Sequence, residues 1–231
     1  MLGPAELQAL LTSLAVAGRA IAFALPLAVV VAWLLSRPHV PGRFVLNALA
    51  HAPLVLPPVV VGYVLLLLFG VRGPIGSVLF NTLHIRLAFT GWGAALAAGV
   101  MAFPLMVRAL RLSFEAIDPG LEVAARSLGA RPLDRFFSIA LPLAAPGVAA
   151  AAIIGFAACL GEFGAVITFV SNIPGITRTL PLALYTALQT PNGDATAARL
   201  AITSFTLGLA GLVLSEWLSR TLRRQLGRGT A

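Results

Sequence analysis

The chain has 231 residues, 59% of them hydrophobic and only 10% charged, with a mean hydropathy of +0.95. A soluble domain carries roughly 25% charged residues, so this composition excludes a water-soluble globule and fits one membrane bundle, read here as a single transmembrane domain over residues 1–231. The net charge of +8 does not indicate nucleic acid. All 16 basic residues are arginines at the ends of apolar runs, with no patch interleaved with aromatics.

Five stretches are long enough to cross a hydrocarbon core of roughly 30 Å, which takes about 20 helical residues. In chain order they cover about Leu10–Leu35, Ala48–Phe69, Leu87–Val107, Leu143–Val170 and Ala197–Leu218. The predicted fold is therefore an all-α membrane protein of about five transmembrane helices. Arg19 interrupts the first stretch, Pro53, Pro57 and Pro58 lie in the second, and Pro104 lies near the end of the third. The first stretch reads as a retained anchor, because no positive charge precedes it and its apolar run is too long for a cleaved signal. Weakly hydrophobic connections are expected near Asn81–Arg86 and Leu180–Ala195. The latter contains a helix over Leu180–Leu188, on the membrane surface or re-entering it, closed by the turn Thr190-Pro191-Asn192-Gly193.

Arginine placement gives a direction. With the N-terminus outside, the inside segments hold Arg37, Arg43, Arg108, Arg111, Arg126, Arg131, Arg135, Arg220, Arg223, Arg224 and Arg228. The outside segments hold Arg72, Arg86, Arg178 and Arg199. Eleven against four predicts N-terminus out and C-terminus in. Trp33, Trp92 and Trp217 lie toward span ends and read as interface anchors. Arg19 and Arg178 have the same reading beside a weaker one, attraction of an anion. His39, His51 and His84 are scattered, and the single Cys159 lies in an apolar stretch, so no metal site, disulfide or cofactor is predicted.

The inside connection of about Arg108–Pro142 is where acidic and basic residues crowd together. Leu121, Ala124, Ala125 and Leu128 recur at helical spacing, Gly129 ends that helix, and Pro132 starts a second with Leu133, Phe136 and Phe137 as its apolar face. Two readings follow from the pattern: a helix-turn-helix elbow with a backbone open to close approach, or an ordinary amphipathic helix resting on the bilayer.

The stretch Glu122-Val-Ala-Ala-Arg-Ser-Leu-Gly129, nine residues, then Ile139-Ala-Leu-Pro142, resembles the EAA loop of ABC-importer permeases, with Val123 where the family's glutamate usually stands. Leu54-Val-Leu-Pro-Pro-Val-Val-Val-Gly-Tyr63, Phe103-Pro-Leu-Met-Val-Arg-Ala109, Leu160-Gly-Glu-Phe-Gly-Ala165, Ser171–Thr179 and Tyr185–Pro191 extend the likeness to molybdate permeases. The resemblance implies a type I (MetI-like) permease fold in a bacterial inner membrane, working as a homodimer. Its expected partners are two copies of a cytoplasmic ABC ATPase and a periplasmic or lipid-anchored binding protein. It assigns Glu122, Ala124, Ala125, Leu128, Gly129, Ile139, Leu141 and Pro142 to ATPase coupling. Sulfate, thiosulfate and tungstate permeases share these motifs and remain alternative substrate classes.

No GxxxxGK[ST] occurs, so energy must come from a partner and no catalytic site is expected. An intramembrane enzyme would need HExxH, paired intramembrane aspartates or a GxSG serine, none of which is present, and a passive channel would not need the elbow. Glu162 is an ionisable group in a predicted span. A carboxylate repels a dianion, which favours a gating or structural role, with a hydrogen bond to nearby backbone or to Arg178, over substrate contact.

Overall fold

Proline at the first helical turn starts many of the helices, because its fixed φ and missing N–H cost nothing there. In the computed structural model, residues 3–38 and 40–227 are described, with side chains to Val213 except Leu212. His39 and Arg228 therefore lie outside the described residues, as do the side chains of Trp217, Arg220, Arg223 and Arg224.

α1 (Pro4–Leu35) is 32 residues long, and Glu6 Oε2 accepts the Gly3 N–H at 2.6 Å at its start. α1 packs along α5 (Gly91–Glu115), whose first turn is capped by Thr90 accepting from the Gly93 N–H. Their shared face is built from alanines, among them Ala17, Ala20, Ala28, Ala94, Ala97 and Ala98, all fully or almost fully buried. Small residues let helix backbones approach closely where lipid supplies no hydrophobic drive between helices. α9 (Ala145–Gly161) lies against both, and a Cβ on its Gly155 would come within 2.5 Å of Met106 Sδ.

The expected second span is two helices. α2 (Arg43–Val55) and α3 (Pro58–Phe69) are bent by 116° across Leu56–Pro57. Pro57 and Pro58 cannot donate backbone hydrogen bonds, so a straight helix through them would leave carbonyls unpaired. The expected fourth span divides too. α9 stops at Gly161, and α10 (Gly164–Val170) is separate. α4 (Pro74–Leu83) fills a region expected to be mostly connection. α11 is the helix expected over Leu180–Leu188. It packs against α1, α9 and α12 (Asp194–Gly227), and its Leu180 N–H donates to the buried Ser13 hydroxyl of α1. The fifth expected span falls within α12, whose Arg199 meets Glu6 at 2.7 Å.

Candidate functional site

The elbow leaves the end of α5. Asp118 caps α6 (Pro119–Ser127) by accepting the Gly120 N–H at 2.8 Å. Gly129 then takes φ +81°, a left-handed conformation that costs a residue with a Cβ about 1–2 kcal/mol. Its N–H donates to Arg126 O, and the Ala130 N–H donates to Ala125 O, the paired closure of a Schellman end. Pro132 opens α7 (Pro132–Arg135), which runs into a π-helical turn, Phe136–Ala140, and α8 (Leu141–Leu143). This short rod meets α9 at 70°.

The predicted apolar face of Leu133, Phe136 and Phe137 holds in part: the Phe136 and Phe137 rings pack edge to face at 4.9 Å between centroids, but the three differ in burial. Phe136 is buried, 4.7 Å between centroids from Trp33 and 6.5 Å from Phe114, while Leu133 and Phe137 are exposed. Leu133 and Phe137, four residues apart, share the outer side of the rod, and Phe136 lies beneath it. Leu133 and Phe137 join Leu121, Val123 and Leu128 as apolar side chains in solvent, and Leu128 is 89% exposed. Ala124 and Gly129 are exposed, Ala125 half-buried; Ile139 and Leu141 are half-buried, and Pro142 is exposed.

Glu122 faces inward. Its Oε1 accepts from Arg37 Nη2 at 2.6 Å and from Arg135 Nη1 at 3.1 Å, tying the elbow to the residue just past α1. Arg37 also lies over the Trp33 ring at 4.1 Å. Burial pushes the Arg37 guanidinium below its ordinary value while Glu122 pulls it upward; an arginine stays charged regardless. Arg111 bridges Glu115 at 2.7 Å beside Arg43 at 3.9 Å, joining α5 to α2. The elbow is thus a bracket fixed by charged contacts inside and apolar outside. Sequence reasoning counted Arg37 and Arg135 only as topology markers. Pairing of Arg37 with Glu122 across 85 residues cannot be read from spacing.

The second region of interest is where the two broken helices meet. A Cβ on Gly62 of α3 would lie 2.6 Å from Ala165 O, and one on Gly164 would lie 2.8 Å from Pro58 Cβ. Glu162 sits in the break, its Oε1 accepting the Ala165 N–H at 2.8 Å, which satisfies one orphan donor at the start of α10. Arg178 donates from Nε to Asn172 Oδ1 at 2.8 Å, and Asn172 donates in turn to Thr186. Among the described residues no hydrogen bond joins Glu162 to Arg178, so the two are not brought together. Val59, Val60, Tyr63, Val64 and Leu67 leave one side of α3 exposed beside this junction. Among the described residues no cluster of metal-ligating side chains occurs.

In class the chain is a helical bundle with apolar helices long enough, by length and composition, to cross a membrane, two of its helix pairs being sharply bent. Residues 24–224 match the family described as binding-protein-dependent transport system inner membrane component, and the chain belongs to that family. It is 54% identical over 223 residues to the molybdenum transport system permease protein ModB of Escherichia coli K12, covering 96% of this chain and 97% of that one. The ModB protein of Haemophilus influenzae is 50% identical, with 97% and 98% covered. The sulfate transport system permease protein CysT of Salmonella typhimurium is 34% identical, with 85% and 69% covered. Among solved structures, a bacterial alginate ABC transporter matches with a TM-score of 0.72 at 17% identity, covering 94% of this chain and 78% of that one, a likeness of fold.

Proposed function

We propose that this chain is the membrane permease subunit of an ATP-driven importer for molybdate. The observation that carries this reading is the 54% identity to a molybdenum permease across almost the full length of both chains. The more distant sulfate permease supports the same machinery and ranks sulfate second as cargo. The chain supplies the pathway and no catalytic site of its own.

In this reading residues 1–231 form one domain and cross the membrane five times, through α1, the bent α2–α3 pair, α5, α9 and α12, with the N-terminus outside. The arginine distribution supports that direction. Two copies of the chain enclose the pathway, and each elbow receives one copy of a cytoplasmic ATPase on the patch around Leu128. Ala124, Ala125 and Gly129 allow close backbone approach there. Ile139, Leu141 and Pro142 pass the displacement to α9, while Glu122 holds the elbow rigid from within. Closure of the ATPase pair draws the two elbows together and rocks the bundles between two packed arrangements, the usual form of alternating access. A binding protein, periplasmic or lipid-anchored, delivers the oxyanion on the other side. Glu162 and Arg178 belong to the gate, not to a tight binding site, since a carboxylate repels a dianion and a strong site would release slowly.

The test is ATP-dependent uptake into proteoliposomes holding this chain with its ATPase and binding protein. Molybdate accumulation that excess sulfate fails to suppress is the expected result. Sulfate transported at an equal or higher rate would overturn the cargo assignment, and uptake without ATP would overturn the class.

A further inference from the structure

At the end of the bundle remote from the elbow, a wedge opens between α1, α2 and α5. Helix α2 stops at Val55 and the chain turns through 116° into α3, whose last residue Phe69 closes the groove together with Ile85, Arg86 and Leu87. The wedge is a groove of about 810 Å³ with a floor of small residues, including Ala20, Ala24, Ala95 and Gly99. That volume lies in the upper part of the range for ligand pockets, roughly 300–1,000 Å³. Phe23 and Leu27 stand exposed on one wall and Leu49 on the other.

Charge is confined to one end. Arg86 lines the groove with its guanidinium over the Phe80 ring at 4.5 Å. Arg19 lies over Trp92, a groove residue, at 4.7 Å. Neither arginine makes an ion pair or side-chain hydrogen bond among the described residues, whereas Arg37, Arg43, Arg111, Arg135 and Arg199 each face a carboxylate. No acidic residue lines the groove. Arg86 lines the groove itself, and Arg19 reaches its rim through Trp92, with Nη1 beside Gly91, so two guanidinium groups of the kind suited to a phosphate oxygen flank the opening.

We propose that this groove is a binding site for an anionic phospholipid, with an acyl chain laid on the small-residue floor of α5 and the phosphate held by Arg19 and Arg86. Two features separate this occupant from others. A second copy of the chain seated on this same patch would bring two cationic rims into one interface with no acidic groove residue, among the described residues, to face them. A free oxyanion would have no reason to enter an apolar wedge, because it would lose hydration without gaining partners beyond the rim.

The experiment is native mass spectrometry of the detergent-solubilised full chain, with phosphatidylglycerol and phosphatidylcholine of identical acyl chains in competition. Phosphatidylglycerol should be retained about tenfold more, the difference one charge-assisted contact of about 1.4 kcal/mol makes. Arg19→Gln/Arg86→Gln should abolish that preference, and Arg19→Lys/Arg86→Lys should restore most of it. Gly99→Leu, whose Cβ would sit at ordinary contact distance from Ala24 and Ala20, should reduce retention of both lipids with the arginines intact. Equal retention of the two lipids by the native chain would overturn the proposal. So would an unchanged preference in the glutamine variant, displacement of the lipid by millimolar inorganic phosphate, or loss of self-association in place of lipid in that variant.

Discussion

The elbow and the helix junction are built on opposite plans. The elbow is polar inside and apolar outside: Glu122 joins Arg37 and Arg135 beneath a surface of Leu121, Val123, Leu128, Leu133 and Phe137. The junction has almost no charged contacts and rests on backbones in near contact at Gly62 and Gly164. Under the proposed function the contrast separates two mechanical requirements. A part that receives force from a partner must keep its shape while showing an apolar face, which directional charged contacts achieve. A part that opens and closes within the membrane must slide without stranding polar groups, which glycine against backbone achieves.

That comparison can be broken at several points. The largest effect belongs to Gly62→Leu, which drives a side chain into Ala165 O and Thr168. Overpacking of this kind costs about 1–3 kcal/mol or more, and the expected outcome is loss of monodisperse protein by fluorescence size exclusion. Next is Gly129→Asp. Nothing lies within 4 Å of the added Cβ, so the cost is the left-handed backbone alone. The chain should stay inserted and monodisperse while ATP-driven uptake falls at least about tenfold; a fold loss equal to that of Gly62→Leu would erase the distinction between the regions.

Glu122→Ala removes the acceptor that Arg135, itself buried, depends on. A hydrogen bond to a charged group is worth about 1.5–3 kcal/mol, reduced here because the Glu122 side chain is 40% exposed. A lower melting temperature with weakened ATPase coupling is expected, partly recovered by Arg37-retaining Glu122→Gln. The smallest effect is at Glu162. Glu162→Gln keeps an oxygen for the Ala165 N–H and should be close to native in stability, whereas Glu162→Ala loses a cap worth about 1 kcal/mol. A change in oxyanion selectivity with Glu162→Gln would instead place this side chain on the substrate.

What could be read from the chain follows the same division. Gly129 and Pro132 act on neighbours within a few residues, so the turn and the second helix were legible from local chemistry, whereas the Asp118 cap emerged only in the structure. The burial of Phe136 beneath exposed Leu133 and Phe137 was not, because it depends on Trp33 and Phe114, which are distant in the chain. Long apolar runs likewise concealed the breaks. Pro57 and Pro58 signalled a tolerable kink, whereas the 116° bend and the close approach of Gly62 to Ala165 of α10 that goes with it leave no mark in spacing. Glu162 gave a functional expectation because it is charged in an apolar stretch; its partner, the Ala165 N–H, exists only because α9 ends at Gly161.

The central claim is that force enters through the outer face of the elbow. Leu128→Cys in a Cys159→Ala background tests it, since Cys159 is the chain's single cysteine and is buried, and Leu128 is 89% exposed. Labelling by a membrane-impermeant maleimide is measured for the chain alone and in complex with its ATPase. Rapid labelling alone and strong protection in the complex, together with loss of ATP-driven uptake once labelled beforehand, is the predicted result. Equal labelling in both states, with uptake unaffected, would contradict the account.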